Sequence, residues 1–251
     1  MSEKVGEIYF NKIGDKATIV KYINKDEVYV TFEGHDEYIK YRYQNLRKGE
    51  FKSPFTPSVY GVGYIGVGKY KPKKNGKTTD AYKDWYCMLQ RGYSELEKQK
   101  HNTYKDITVN SELFCFQDFC KWREQNYYEI DGETMELDKD ILFKGNKEYS
   151  FNTMIYVPHR INSLFIKSDV IRGDLPIGVD CDKRRNKYRA RCKIGNNKTK
   201  YLGYYNTPEE AFQAYKEFKE AYIKEVADEY KNVIPKRLYD AMYIWEVEIT
   251  D

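Results

Sequence analysis

The residues best suited to chemistry begin in the segment Glu136–Leu142, where three charged side chains stand in a row between apolar residues. These side chains are Asp138, Lys139 and Asp140. A plain core strand avoids such a run, because an unpaired buried charge costs several kcal/mol. Neighbouring carboxylates can instead hold a divalent cation or accept a proton. We therefore expect these charges to have partners elsewhere in the chain.

Candidate partners lie in the segment Tyr149–Asn162. Pro158 can occupy the first position of a helix, since its missing N–H costs nothing there. His159 and Asn162 then stand three residues apart on one helical face. A strand, a loop, a second strand and this helix would bring a carboxylate, an imidazole and an amide together.

This order of elements resembles the HNH family of nucleases, also called ββα-metal nucleases, and above all the homing endonucleases of phages. The matching positions are Asp138 for the family's metal-binding Asp, Gly145-Asn146 for its loop, Val157-Pro158 for its Val-Thr pair and Asn162 for its metal-binding Asn. The resemblance implies a divalent cation, usually Mg²⁺, held by Asp138 and Asn162. Such a cation would stabilise the leaving oxyanion during cleavage of a phosphodiester in duplex DNA.

The chain departs from the family pattern at two places that matter for the cleavage reaction. Lys139 stands where the family has its general-base His, and Thr153-Met154 replaces an Asn-Leu pair. Lysine is a poor base at neutral pH, because its ordinary pKa is about 10.4. We therefore expect Lys139 to bind phosphate as a cation, and Asp140 or His159 to take the proton.

Strand geometry leaves an alternative open. In a regular strand Asp138 and Asp140 share one face and Lys139 lies on the other. Lys139 can therefore join the site only if the strand is twisted or bulged there. The alternative is an acidic strand edge that pairs with Arg160 and holds no metal.

Charge is distributed unevenly along the 251 residues, whose net charge is only +4. Between Arg172 and Tyr205 ten Lys or Arg residues oppose three Asp residues, a local net charge of +7, and the remainder carries −3. A basic region of this density is the electrostatic footprint of a phosphate-binding surface. The segment therefore predicts a nucleic-acid partner more strongly than the whole-chain charge does.

Cysteine usage and hydropathy indicate the cellular compartment in which the protein is expected. The five cysteines lack the paired spacing of a zinc site and predict reduced thiols. Neither a signal peptide nor an apolar run near 18 residues is present, so we expect a cytoplasmic protein of a bacterial host cell, with no membrane span. The cysteines are Cys87, Cys115, Cys120, Cys181 and Cys192.

The N-terminal residues 1–57 predict a small SH3-like β-barrel of five strands, because short β-branched and aromatic runs alternate with turn residues. Its Val28-x-Val30-x-Phe32 run and its Gly and Pro positions are similar to a module that recurs beside HNH-like domains in phage and low-GC bacterial proteins. The alternative to a binding role for this module is a purely structural one, as a cap.

Residues 58–170 are expected to form the HNH-like ββα central domain. Apolar spacing predicts flanking helices at about Asp80–Lys98 and Cys115–Gln125. Gly61–Gly68 fits G-x-G-x-x-G, but a basic loop follows it where a dinucleotide site needs a helix, so no cofactor site is predicted. That loop, Lys69–Lys77, is expected to be solvated and able to touch phosphate.

Residues 171–251 predict a three-stranded antiparallel sheet backed by one amphipathic helix. The strand Lys187–Ile194 alternates basic and mostly apolar side chains, so one of its faces is basic. Thr207 and Glu210 form a predicted capping box at the start of the helix. A basic β surface of this kind suits the major groove of DNA, which accepts β structure.

The same region resembles the DNA-binding domain of ethylene-response factors, the Apetala family, which phage homing endonucleases also carry. The motifs that carry the resemblance are Tyr188-Arg189-Ala190, Leu202-Gly203-x-Tyr205 and Thr207-x-Glu209-Glu210-Ala211. The resemblance implies contacts with bases and phosphates from six residues. They are Arg184, Arg185, Lys187, Arg189, Arg191 and Lys200.

The sequence thus predicts a multi-domain α+β protein with three candidate functions. The first is a metal-dependent endonuclease of duplex DNA, with the C-terminal sheet as the reader and the central ββα unit as the cutter. The second is a DNA-binding protein whose nuclease core has lost its chemistry. The third is a phage-encoded protein that inhibits a host defence protein, a nuclease, through protein contacts.

Overall fold

The computed structural model describes residues 3–166, 175–195 and 198–251. The fold is α+β, as predicted, with several small sheets. The chain divides into two compact units, Met1–Glu124 and Gln125–Asp251. The border between them falls inside the segment that the sequence assigned to one central domain. Across the described ranges, no helix combines the length and the apolar character needed to cross a membrane.

The first unit begins with a four-stranded antiparallel sheet whose strands are neighbours in chain order. They are β1 (Ile8–Phe10), β2 (Lys16–Asn24), β3 (Glu27–Phe32) and β4 (Ile39–Tyr41), followed by helix α1 (Tyr43–Arg47). Alternate residues of β3 are buried, as one-sided burial of a strand requires. The predicted barrel has five strands, whereas the described residues of this segment form four and the short α1.

A short hairpin and two helices follow in the first unit. They are β5 (Lys73–Lys74), β6 (Lys77–Thr78), α2 (Asp80–Tyr93) and α3 (Glu95–Lys100). The sequence predicted one helix here, but Ser94 has an extended backbone, which ends α2, and its hydroxyl accepts from the Glu97 N–H as the cap of α3. Serine at a helix start satisfies an otherwise unpaired amide, so the break is stable.

The segment before the acidic motif also contains β7 (Thr108–Val109), α4 (Phe116–Asn126) and two short 3₁₀ helices, Asn102–Tyr104 and Ser111–Leu113. The apolar side of α4 is buried as its spacing predicted, with Phe116 and Phe119 fully enclosed. Trp85 of α2 is also fully buried and donates through its indole N–H to the Leu113 carbonyl at 2.8 Å. A buried tryptophan needs such a partner for its one polar atom.

The second unit contains a strand, a loop, a strand and a helix in the predicted order. They are β8 (Met135–Asp138), β9 (Glu148–Tyr149) within the loop, β10 (Ile155–Pro158) and α5 (His159–Phe165). Strands β8 and β10 are antiparallel, with Asp138 opposite Ile155. Pro158 immediately precedes the helix instead of opening it, so His159 is its first residue.

The rest of the second unit is a three-stranded antiparallel sheet with a long helix, as predicted. Its elements are β11 (Val179–Asp182), β12 (Lys187–Lys193), β13 (Thr199–Tyr205), α6 (Pro208–Tyr230) and α7 (Lys236–Tyr243). Thr207 caps α6 by accepting from the Glu210 N–H at 3.1 Å. The return bond of the capping box is displaced by one residue, since the Glu210 carboxylate accepts from the Asn206 N–H at 3.0 Å.

Candidate functional site

Strand β12 separates a buried face of the sheet from an exposed one. Ala190 and Cys192 are buried and belong to the core that includes Ala211 of α6. Arg191 and Lys193 alternate with them and are exposed. The alternation predicted from the sequence is therefore confirmed. We call the side of the sheet away from α6 the outer face.

A β-bulge adds two tyrosines to the outer face. The pairing of β12 with β13 shifts by one residue between Ala190 and Arg191, so Tyr204 lies opposite Arg189 and Tyr201 lies opposite Arg191. Residues three apart on a regular strand would face opposite ways, and the bulge removes that difference. Tyr201 is 61% exposed and Tyr204 is 43% exposed. Neither tyrosine is among the predicted DNA contacts, because the bulge was not predicted.

Arginines lie against these two rings. The Arg185 guanidinium is 4.5 Å from the centroid of the Tyr204 ring, and that of Arg189 is 5.6 Å from the Tyr201 ring. Contacts of a cation with an aromatic face fix the guanidinium plane without neutralising its charge. The outer face thus presents oriented cations beside aromatic surface.

Asp180 of β11 is the acid of the outer face that both central arginines approach. It lies opposite Arg189 in the sheet. Arg189 Nη2 is 2.8 Å from Asp180 Oδ1, and Arg191 Nε is 2.7 Å from Asp180 Oδ2. One carboxylate therefore faces two guanidinium groups, and a net positive charge remains at this point of the sheet.

The other predicted DNA contacts fall into two groups. Lys187 lies on the outer face, where its ammonium bonds the Asn206 side chain, and the exposed Arg184 and Arg185 lie in the turn between β11 and β12. The register places Lys200 opposite the buried Cys192, on the side of the sheet that carries α6. The structure thus brings five of the six predicted residues together and separates Lys200 from them.

Asp138 is tied to its own loop. Its Oδ1 accepts from the backbone N–H groups of Asp140 and Ile141, both at 2.8 Å. Burial and the neighbouring Asp140 carboxylate raise the pKa of Asp138 to about 6. The strand ends at Asp138, so the predicted conflict between the faces of Asp138 and Lys139 does not arise.

Lys139 is a buried side chain, with 8% of its surface exposed. Its ammonium lies 3.2 Å from Asp140 Oδ2 and over the ring of Tyr149. Its carbonyl accepts from the Asn146 amide at 2.8 Å. The side chain expected to bind phosphate therefore already has an anionic partner, and most of it is shielded from solvent.

A second polar cluster joins the helix to the strand. His159 Nδ1 lies 2.8 Å from Glu136 Oε1, and the Asn162 amide donates to Glu136 Oε2. An ionised carboxylate only accepts hydrogen bonds, so in the tautomer that donates to Glu136 the proton is on Nδ1 and the lone pair is on Nε2. Glu136 is not among the predicted site residues, although it stands two residues before Asp138 on the same strand, the spacing that puts two side chains on one face.

The predicted metal ligands have separate partners. Asp138 bonds the backbone of its loop, and Asn162 bonds Glu136. The oxygen atoms left for a cation are Asp138 Oδ2 and Asn162 Oδ1, a set that Mg²⁺ accepts when water completes its shell. Within the described ranges, no group of three or more His, Cys, Asp or Glu side chains could hold a metal ion.

The alternative of an acidic strand edge paired with Arg160 does not describe this region, because Arg160 pairs with Glu229 of α6. Each ββα side chain considered above has a partner within the second unit. Comparison with known proteins adds no assignment: no family model, no curated protein and no solved structure matches the chain.

Proposed function

We propose that this protein binds duplex DNA through the outer face of the sheet formed by β11, β12 and β13. The observation that carries the proposal is the pair Arg189 and Arg191, which lie side by side on the outer face of β12 and share one carboxylate. Two guanidinium groups and one acid leave a positive charge that a phosphate can neutralise. The resemblance to the Apetala family supports the same partner.

The outer face supplies the two kinds of contact that duplex binding needs. Arg184, Arg185 and Lys193 are exposed and can neutralise phosphates, a term that sets affinity and salt dependence. Arg189, Arg191 and the two tyrosines lie together on the outer face, where they can face base edges in the major groove. Such a surface suits duplex DNA because the groove admits a β-ribbon.

A titration of labelled duplex with the Arg189→Ala/Arg191→Ala variant tests the proposal. We expect weaker binding and a salt dependence less negative by up to about 1.8, since each phosphate contact contributes about 0.9 to the slope. Lys224→Ala/Lys236→Ala is the control, because it removes the same charge from the helices of the second unit. Equal losses of duplex affinity in both variants would mean that affinity depends only on the net charge of the protein, and would contradict the proposal.

Removal of both arginines also leaves Asp180 without its partners, which could disturb the sheet. The triple variant Asp180→Asn/Arg189→Ala/Arg191→Ala avoids this, since the amide needs no cation. We expect the triple variant, like the double variant, to bind well below the wild-type level. Binding restored to the wild-type level would show that the arginines act only by neutralising Asp180, and would contradict the proposal.

We propose phosphodiester cleavage as a second candidate function, favoured by the Glu136–His159 pair. Glu136 fixes the imidazole so that Nε2 can take a proton from an attacking water. The His159 side chain is 62% exposed, so a substrate can reach it. A divalent cation would supply charge stabilisation at the phosphate, and the resemblance to HNH nucleases assigns it to Asp138 and Asn162.

Nicking of supercoiled DNA in the presence of Mg²⁺ tests this candidate. His159→Ala should abolish nicking, whereas His101→Ala, an exposed histidine of the first unit, should leave it intact. Asp138→Asn keeps an oxygen for the two backbone N–H groups but weakens a metal site. Nicking that survives in His159→Ala would exclude His159 as the base. If the wild type binds duplex DNA without nicking it, the protein is a DNA-binding protein and not a nuclease. Absence of both activities would favour inhibition of a host defence nuclease.

A further inference from the structure

We propose that the hairpin of β5 and β6 is a second phosphate-binding element for duplex DNA, carried by the first unit. The inference rests on the proposed function for the identity of the partner, but on different residues. The sequence predicted a solvated loop here. The structure instead has a paired hairpin, with Lys73 opposite Thr78 and Lys74 opposite Lys77.

The hairpin has a defined conformation. Asn75 and Gly76 join its strands with φ values of 51° and 76°, the left-handed pair that a two-residue turn of type I′ requires. Asparagine and glycine are the residues that tolerate this geometry best. The turn therefore fixes the directions in which the flanking lysines project.

The base of the hairpin is attached to a packed helix. The Thr79 N–H donates to the Pro72 carbonyl at 2.9 Å, and the Thr79 hydroxyl also accepts from the Tyr82 N–H at 3.3 Å as the cap of α2. One residue thus closes the hairpin and begins the helix. Because α2 holds the buried Trp85, the hairpin stands on a rigid base.

The charges of the hairpin are not balanced locally. Lys71, Lys73, Lys74 and Lys77 are all exposed. In residues 69–84, all of which the structure describes, the neighbouring lysines have acids: Lys69 pairs with Glu124 at 3.0 Å and Lys83 pairs with Asp80 at 2.7 Å. The hairpin lysines have no carboxylate within ion-pair distance among the described residues.

The opposition of Lys74 and Lys77 indicates what the hairpin binds. Like charges directly across two strands are unfavourable, so an anion between them is attracted by both. Lysine is a point charge that binds phosphate without the planar geometry of arginine. The hairpin carries no aromatic side chain and no arginine, so it suits the repeated phosphates of a DNA backbone and not the recognition of a base sequence.

Fluorescence anisotropy of a labelled duplex, repeated over a series of salt concentrations, tests the proposal on the full chain. Lys74→Ala/Lys77→Ala should make the slope of log affinity against log salt less negative by about 1.8. The loss should be the same for duplexes of unrelated sequence. The control is Lys16→Ala/Lys40→Ala, which removes the same charge from two lysines of the first unit that already pair with Glu33 and Glu27. Its slope should stay at the wild-type value.

Lys77→Glu separates lost binding from lost structure. It places opposite charges across the hairpin, so the hairpin should persist while affinity falls at least as far as in the double alanine variant. If the slope of log affinity against log salt is unchanged in both hairpin variants, the inference about the hairpin is overturned. If Arg189→Ala/Arg191→Ala still makes that slope less negative, the proposed function stands. A slope flattened only by the hairpin variants would support the hairpin and overturn the sheet assignment. Failure of the wild type to bind duplex DNA would overturn both.

Discussion

Two regions of the second unit differ in what their polar side chains bind. In the ββα segment, residues 135–165, charged and amide groups bond each other or the backbone, as with Asp138 and its loop. On the outer face of the sheet, cations outnumber acids and lie beside exposed rings. Charge density alone therefore does not identify a binding surface, since the partners of each charge decide whether that charge is available to a ligand.

The difference follows from burial. A polar group inside the fold must find a partner, because an unsatisfied buried group costs about 1–3 kcal/mol. Lys139 and Asp138 meet this requirement with groups of their own loop. Arg191 is about half exposed, so water can satisfy what Asp180 does not. A ligand can displace water from Arg191 more easily than it can replace the partners of Asp138.

The largest effect is expected for Asp138→Asn. The pKa of Asp138 in the fold is about 6, above the ordinary value of about 3.9, so the folded state holds a proton that the unfolded state releases between these values. The contribution of Asp138 to the free energy of unfolding is therefore most favourable below about pH 4. It decreases as the pH rises from about 4 to about 6, and it stays at the lower level above that. The amide keeps the oxygen acceptor and has no charge to bury, so the variant should gain about 3 kcal/mol at pH 8.

Urea unfolding at pH 4 and at pH 8 measures this gain. Asp131→Asn, at an exposed position of a turn, is the matched control and should change stability little. A loss of stability in Asp138→Asn at pH 8 would mean that the charge itself is needed in the fold. The ββα segment would then differ from the outer face for another reason than the one given above.

A smaller effect is expected for Asp180→Asn on the outer face. Loss of this charge leaves Arg189 and Arg191 without an internal anion, and a unit charge about 4 Å away in water is worth about 1 kcal/mol. Duplex affinity should therefore rise by about fivefold at low salt, and less as salt screens the charge. Anisotropy titrations measure it, with Asp131→Asn again as the control. Weaker binding would show that Asp180 orients the arginines and does not compete with DNA.

The smallest effect is expected for Glu136→Ala. Its bonds to His159 and Asn162 are partly exposed, and such pairs contribute about 0–1 kcal/mol. The free energy of unfolding should therefore change by less than about 1 kcal/mol. The control Glu129→Ala, at an exposed position, should change it as little. Nicking, if the wild type shows it, should fall much further than stability. A large loss of stability would make the Glu136 cluster a structural element.

Much of the architecture could be predicted from sequence periodicity. Alternation along β12 gave its buried and exposed faces, and Thr207 marked the start of α6. The position of Lys200 was not predicted, because one extra residue in β13 reverses the faces along that strand. Gly203, with a φ of 140°, lies at this irregularity, and a glycine inside a strand pattern is the signal that indicates a bulge.

The role of Asp138 is ambiguous in sequence for a different reason. A carboxylate at the end of a strand can hold a cation or accept from the next backbone amides. Both roles use the same residue at the same place, and only the loop conformation distinguishes them. The helix break at Ser94 is similar, since serine is common both inside polar helix faces and at caps.

The arginine side chains themselves report whether the outer face binds duplex DNA. Nitrogen-15 spectra of the arginine Nε–H groups, recorded during titration with duplex DNA, should show shifts for Arg189 and Arg191. Arg160, which pairs with Glu229, should stay in place. Shifts at Arg160 with unchanged signals for Arg189 and Arg191 would contradict the assignment of the outer face as the DNA-binding surface.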